Sequence, residues 1–153
     1  MKISEKGKHL IKFFEAFKSK PYIDAVGIAT IGWGFTYYPD GKKVTMKDNA
    51  ITQSQADIIL DSIIDMDFAK YVPQNTNQNQ FDALCSLCYN IGSRSFTNST
   101  LAKKVLKNPN DESIKDEFLK WNKGRRNGQL VTLQGLATRR RQEANLYFEP
   151  VKQ

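Results

Sequence analysis

Glu15, Asp24 and Thr30 stand out within residues 13–36, FFEAFKSKPYIDAVGIATIGWGFT, as side chains whose types and spacing could do chemistry together. Asp24 follows Glu15 by nine positions, and Thr30 follows Asp24 by six. Glu15 closes an apolar, helix-patterned run of Leu10, Ile11, Phe13, Phe14 and Phe17. A carboxyl group at the end of such a run is partly desolvated, which favours its protonated form, whereas a second one on a polar turn stays charged. Two carboxyl groups held in unlike surroundings are what an acid and base pair requires. The plainer alternative is that Glu15 finishes a helix face and Asp24 makes a turn.

The elements that must position these residues are readable in outline. Ser4 is placed to cap a first helix reaching about Phe17, with Leu10, Ile11, Phe14 and Phe17 on one face. His9 falls on its polar side among lysines. From Pro21 to about Val44, glycines and the Tyr38-Pro39-Asp40-Gly41 turn punctuate alternating apolar residues, which predicts a small antiparallel sheet. Thr52-Gln53-Ser54-Gln55 fits a capping box that opens a long helix, with Ile58, Ile59, Ile63 and Met66 apolar and Pro73 as its stop. Asp57, Asp61 and Asp65 fall on the opposite face and read as solvated.

The second half is mostly helical. Asn79 is placed to cap a helix carrying Phe81, Leu84, Cys85, Leu87, Cys88 and Ile91, and Gly92 ends it. Further helices are expected at about 100–107, at 112–122 with Ile114, Phe118, Leu119 and Trp121 as anchors, and from about Gly135 to Tyr147. Between the last two, Asn127-Gly128 marks a loop or short hairpin. Cys85 and Cys88 form a CxxC spacing inside a helical pattern, so they read as small buried hydrophobes. With His9 the only histidine and no second cysteine pair, a zinc site lacks ligands.

Glu15, Asp24, Thr30 and the following Ile31-Gly32-Trp33-Gly34 resemble the catalytic segment of the phage lysozymes of glycoside hydrolase family 24. Gln80-Phe81-Asp82-Ala83-Leu84, Tyr89-Asn90-Ile91-Gly92, Phe96-Thr97-Asn98-Ser99, Trp121 and Gly135-Leu136-Ala137-Thr138-Arg139-Arg140-Arg141-Gln142-Glu143 continue that resemblance in order, from about residue 7 to 148. Phe35 departs from it, since the family commonly carries histidine after the second glycine. The resemblance implies an α+β, lysozyme-like single domain of 153 residues. A small antiparallel hairpin lobe (about 15–50) would be joined by a connecting helix (about 52–72) to a helical lobe (about 73–150), on which the first helix packs.

It also implies an endolysin-type muramidase, with Glu15 as general acid and Asp24 and Thr30 holding the attacking water. Asn90, Gly34 and Phe35 would line the cleft, and Arg139 would orient Glu15. The following Arg140 and Arg141 read as a solvated cationic face. Two carboxyl groups suffice for such hydrolysis, so no cofactor or metal is implied. The expected partner is the glycan strand of peptidoglycan, met by a monomer that neither binds nucleic acid nor inserts stably into a membrane.

Composition is compatible with this and narrows it. Residues 1–100 carry 11 Lys/Arg against 10 Asp/Glu, whereas residues 101–153 carry 12 against 6, so nearly all of the +7 charge lies in the last third. Such a surface favours a polyanionic partner. A basic module that binds nucleic acid or wall polymer without cutting is the second reading, supported by charge alone and by no nucleic-acid-binding motif. Met1 to Lys6 has no apolar export core, and no run approaches a membrane span. The expectation is accumulation in the host cytoplasm until a separate membrane lesion releases the enzyme to the wall.

Overall fold

The computed structural model describes residues 1–152. In chain order the elements are α1 (Glu5–Glu15), β1 (Lys18–Ile23), β2 (Ala29–Gly32), α2 (Gln53–Asp67), α3 (Gln78–Ile91), α4 (Ser93–Asn98), α5 (Thr100–Lys107), α6 (Ile114–Leu119), β3 (Lys123–Arg126), β4 (Gln129–Thr132) and α7 (Gln134–Phe148). The class is α+β, with two separate two-stranded antiparallel sheets. Helix α4 is the one helix that the sequence patterns did not mark.

Helix α3 is the scaffold on which the rest is built. Every residue from Asn79 to Cys88 is buried, as befits a helix covered on all sides. Helices α1 and α7 both pack along it. Its cap is Asn77 and not Asn79: the Asn77 side chain accepts from Gln80 N at 2.8 Å, while Gln80 Oε1 accepts from Asn77 N at 3.0 Å. Asn79 lies inside the first turn and donates to Glu149 O at 2.9 Å. Cys85 and Cys88 are buried free thiols, and burial pushes Cys88 up to about 12, far from a reactive thiolate.

Ser4 stands at the start of α1 but caps nothing in its own helix. Its N–H donates to Asp82 Oδ1 at 2.9 Å and its hydroxyl donates to Asp82 Oδ2, which pins the α1 N-terminus to α3. The two helices touch at Gly7, where an added Cβ would meet Ile3 Cγ1 at 2.7 Å and Asp82 Cβ at 2.8 Å.

Helix α2 opens with the expected Thr52–Gln55 capping box, but its buried stripe differs from the expected one. Ala56, Leu60, Ile63 and Ile64 face the core, whereas Ile58 and Met66 are exposed. Each exposed residue follows a buried one by two positions, which puts it roughly 200° around the helix. The run of isoleucines hides that phase. The acidic face is not simply solvated either. Asp57 pairs with Lys12 at 2.9 Å and accepts from Trp33 Nε1 at 2.9 Å, and Asp61 pairs with Lys8 at 3.0 Å, so two carboxylates tie α2 to α1. The helix ends at Asp67, ahead of a 3-10 turn at Ala69–Tyr71, and Pro73 comes only after that turn.

The first sheet begins three residues before Pro21. Lys18 pairs with Gly32, Tyr22 with Thr30 and Ile23 with Ala29, with a bulge between Lys18 and Tyr22 that accommodates the proline. Ile31, Trp33, Phe35 and Val44 carry this segment into the core. The β3–β4 hairpin turns at Asn127 and Gly128, both with positive φ (53° and 79°), the backbone that suits a two-residue turn. Helix α6 is shorter than residues 112–122, and Trp121 lies beyond it, half-buried. Among the described residues no helix is long and apolar enough to cross a membrane.

The α1–α3 contact yields a stability prediction. Gly7→Ala forces a methyl group into space held by Asp82 and Ile3, an overpacking that typically costs about 1–3 kcal/mol and outweighs the gain in helix propensity. A lowered urea midpoint with an unchanged slope is the expected result, and a more stable variant would show that the helices separate freely.

Candidate active site

Glu15 is the last residue of α1, and its side chain turns into a small cleft of about 240 Å³ bordered by Gly34, Phe35, Tyr37, Tyr89 and Asn90. Two contacts fix it. Arg139 Nη1 of α7 donates to Glu15 Oε2 at 2.6 Å. On the other side Gly34 (φ +87°) approaches so closely that a Cβ there would lie 2.5 Å from Glu15 Oε1. Glycine is required at position 34 twice over, by its backbone and by this approach.

Arg139 is itself buried and fully engaged. Its Nε donates to Glu143 Oε2 at 3.1 Å, its Nη2 donates to Ser86 O at 3.2 Å, and its guanidinium stands 5.5 Å from the centre of the Phe14 ring. The neighbouring Arg140 is fully buried, contrary to the solvated face expected of it, while Arg141 is exposed. The physical reason is the i, i+3 relation of Arg140 to Glu143 on the inward side of α7, where Arg140 Nε stands 2.7 Å from Glu143 Oε1. Arg140 Nη2 also donates to Asn90 Oδ1 at 2.8 Å. Asn90 therefore borders the cleft with its amide oxygen already occupied. Phe35 borders it too, but its ring is buried against Gly32.

Asp24 sits in the loop joining β1 and β2, and that loop holds it. Oδ1 accepts from Val26 N and from Ile28 N, both at 2.9 Å. The second oxygen, Oδ2, lies 3.4 Å from Thr30 Oγ1. Thr30 is buried on β2, and its hydroxyl lies 2.9 Å from Ile28 O. A hydroxyl has one proton. The shorter contact takes it, which leaves the Thr30 lone pairs and Asp24 Oδ2 as neighbouring acceptors.

The triplet is thus in two parts, Glu15 with Arg139 and Gly34, and Asp24 with Thr30. Tyr22 links them, and sequence reasoning did not single it out. It is paired with Thr30 across the sheet and lies two positions before Asp24, near enough to feel its charge. Burial, with the charges of Glu15 and Asp24, pushes its phenol up. Ser86 was also missed, and Glu143 was read only as the end of the C-terminal motif, with no role of its own. The Arg139–Glu143 spacing of four on one helix was the signal available for Glu143, and nothing in the local pattern marked Ser86.

The model of the phage lysozyme family matches residues 12–143. An endolysin of Acyrthosiphon pisum secondary endosymbiont phage 1 is 41% identical over 151 residues, covering 96% of this chain and 98% of that protein. The endolysin of Salmonella phage P22 is 33% identical over 150 residues, covering 97% and 99%. The solved endolysin of Escherichia coli O157:H7 phage FAHEc1 superposes with a TM-score of 0.87 at 38% identity, covering 99% of this chain and 96% of that one. The chain belongs to the phage lysozyme family. Its fold is lysozyme-like, and it is a glycoside hydrolase of the lysozyme type.

In this phage lysozyme the position of Glu15 depends on an absent side chain. Gly34→Ala places a methyl group against Oε1 and strains a left-handed backbone, by roughly 1–2 kcal/mol. Displacing a reacting group by about 1 Å can cost 10²-fold in rate. Wall-clearing assays on the folded variant should show a loss of that order, and an undiminished rate would mean that Glu15 tolerates the shift.

Proposed function

We propose that this enzyme hydrolyses the β-1,4 bond between N-acetylmuramic acid and N-acetylglucosamine in peptidoglycan, with inversion at the anomeric carbon. Glu15 is the general acid that protonates the leaving oxygen. It reaches the cleft from a helix end and is oriented by Arg139. Asn90, Gly34 and Phe35 border the space for the sugar.

The pairing of Asp24 Oδ2 with Thr30 Oγ1 is the observation that carries the mechanism. With Oδ1 bound by two backbone N–H groups and the Thr30 proton directed to Ile28 O, the two remaining acceptors lie 3.4 Å apart, within reach of one water. A water that donates one proton to each has its lone pair free for attack on the anomeric carbon. Asp24 then takes the proton released as the bond forms, and its charge stabilises the oxocarbenium-like transition state. A carboxylate acting as a direct nucleophile would need no hydroxyl beside it. The basic final third suits an anionic wall, and the enzyme acts after release from the host cytoplasm through a separate membrane lesion.

Two experiments test this reading. Glu15→Gln keeps the shape but cannot donate a proton, a contribution typically worth 10²–10⁴ in rate. The folded variant should scarcely clear a peptidoglycan suspension; clearing at near wild-type speed would remove Glu15 from the role of acid. Proton NMR of fresh product, read before mutarotation, should show the α-anomer first. A β-anomer appearing first would make Asp24 a nucleophile and leave Thr30 without a water to hold.

A further inference from the structure

Glu143 takes no part in the chemistry above, yet it is a fully buried carboxylate on α7. Charged side chains are almost never fully buried unless paired, and this one holds three partners. Arg139 Nε donates to Oε2 at 3.1 Å, Ser86 Oγ from α3 donates to the same oxygen at 2.5 Å, and Arg140 Nη2 donates to it at 3.2 Å. Arg140 Nε stands 2.7 Å from Oε1 without hydrogen-bond alignment, so that contact is coulombic.

The two arginines reach the cleft from behind at two points. Arg139 donates to Glu15, and Arg140 donates to Asn90. Glu15, Arg139, Glu143 and Arg140 sum to zero with Glu15 ionised and to one positive charge with Glu15 protonated. A lone cation beside a carboxyl group favours its ionised form, and a second anion behind that cation offsets the effect. The groups near Glu15 are Arg139 from α7, the Tyr22 phenol from β1 and the Tyr89 phenol from α3, and Asp24 of the β1–β2 loop acts on that same Tyr22. Burial raises both phenols, so they stay neutral over the range in which carboxyl groups titrate. Ser86 from α3 and the two arginines of its own helix face Glu143.

We propose that Glu143 is a positioning residue of the glycosidase site: by neutralising Arg139 from behind, it keeps that guanidinium from holding Glu15 ionised and so sets the pH range in which Glu15 carries a proton. The proposal rests on the reading of Glu15 as general acid.

The test is the pH profile of kcat for Glu143→Gln, Arg140→Gln and the double variant. Glu143→Gln leaves an uncompensated cation behind Glu15, so the alkaline limb should move to lower pH by about one unit. Arg140→Gln leaves an excess anion, and the limb should move to higher pH. The double variant restores the balance, and its limb should return toward the wild-type position. A purely structural role would lower thermal midpoints without opposed displacements, and limbs that move in one direction, or limbs and a Glu15 resonance that all stay in place, would overturn the proposal. Should Glu143→Gln not fold, Arg140→Gln and the double variant still give the opposed signature. The carboxyl-carbon NMR resonance of Glu15, followed against pH, reads the same displacement without turnover. If the resonance moved with these substitutions while the activity limb did not, the charge coupling would stand and the acid assignment would fall.

Discussion

A buried guanidinium must find an acceptor for its donors, and that requirement at Arg139 governs the arrangement around the cleft. Burying an ion costs several kcal/mol, repaid only where its geometry and hydrogen bonds are complete. Arg139 reaches that condition by drawing on three helices at once, through Glu15 at the end of α1, Ser86 in the middle of α3 and Glu143 one turn further along α7. Helices α1 and α7 already pack on α3 through apolar contacts, which are non-directional, and Ser4 fixes only the far end of α1, to Asp82. The guanidinium adds direction. It is satisfied only when the end of α1 stands at one height against α7, and that height places Glu15 at the cleft.

Asp24 is held on the opposite principle. Both backbone donors to its Oδ1 come from within four residues of it, so its orientation belongs to the β1–β2 loop and not to the packing of the helices. The two carboxylates of the site therefore fail independently. Loosening the α1–α3–α7 contact would move Glu15 and leave the Asp24–Thr30 pair in place. Tyr22, bound to the sheet through its pairing with Thr30 and close to the charges of both, senses the two halves together.

Local chemistry was legible in the residues themselves, and long-range pairing was not, apart from that of Arg139 with Glu15, which the family resemblance implied. The Thr52–Gln55 capping box, the Asn127-Gly128 hairpin and the limits of α5 depend on neighbours within a few positions, and the structure shows each. The α2 stripe was misphased because consecutive isoleucines satisfy more than one choice of face, and only the partners decide which is buried. The Asn77 cap lay in a run where several residues satisfy the same rule, and the box with Gln80 decides between them. Ser4 has the right type for a cap and uses it on Asp82, 78 residues away, a distance no local pattern encodes. Arg140 misled for the same reason: three consecutive arginines read as solvated unless the acceptors waiting on α3 and α7 are known.

The charged quartet would be a poor choice if stability were all that mattered. Replacing buried ion pairs by apolar residues of similar volume is often neutral or stabilising, whereas removing one partner alone is strongly destabilising. Here the quartet cannot be exchanged for apolar packing as a whole, because one of its members, Glu15, is only part-buried and borders the cleft. A carboxyl group that borders a cleft stays polar, its nearest fixed partner here is a cation, and that cation is buried on α7. Each step inward then demands another counter-charge, until Glu143, Arg140 and the neutral acceptors Asn90 Oδ1 and Trp121 O close the series. The interior of α7 is charged because the site at its surface has to be.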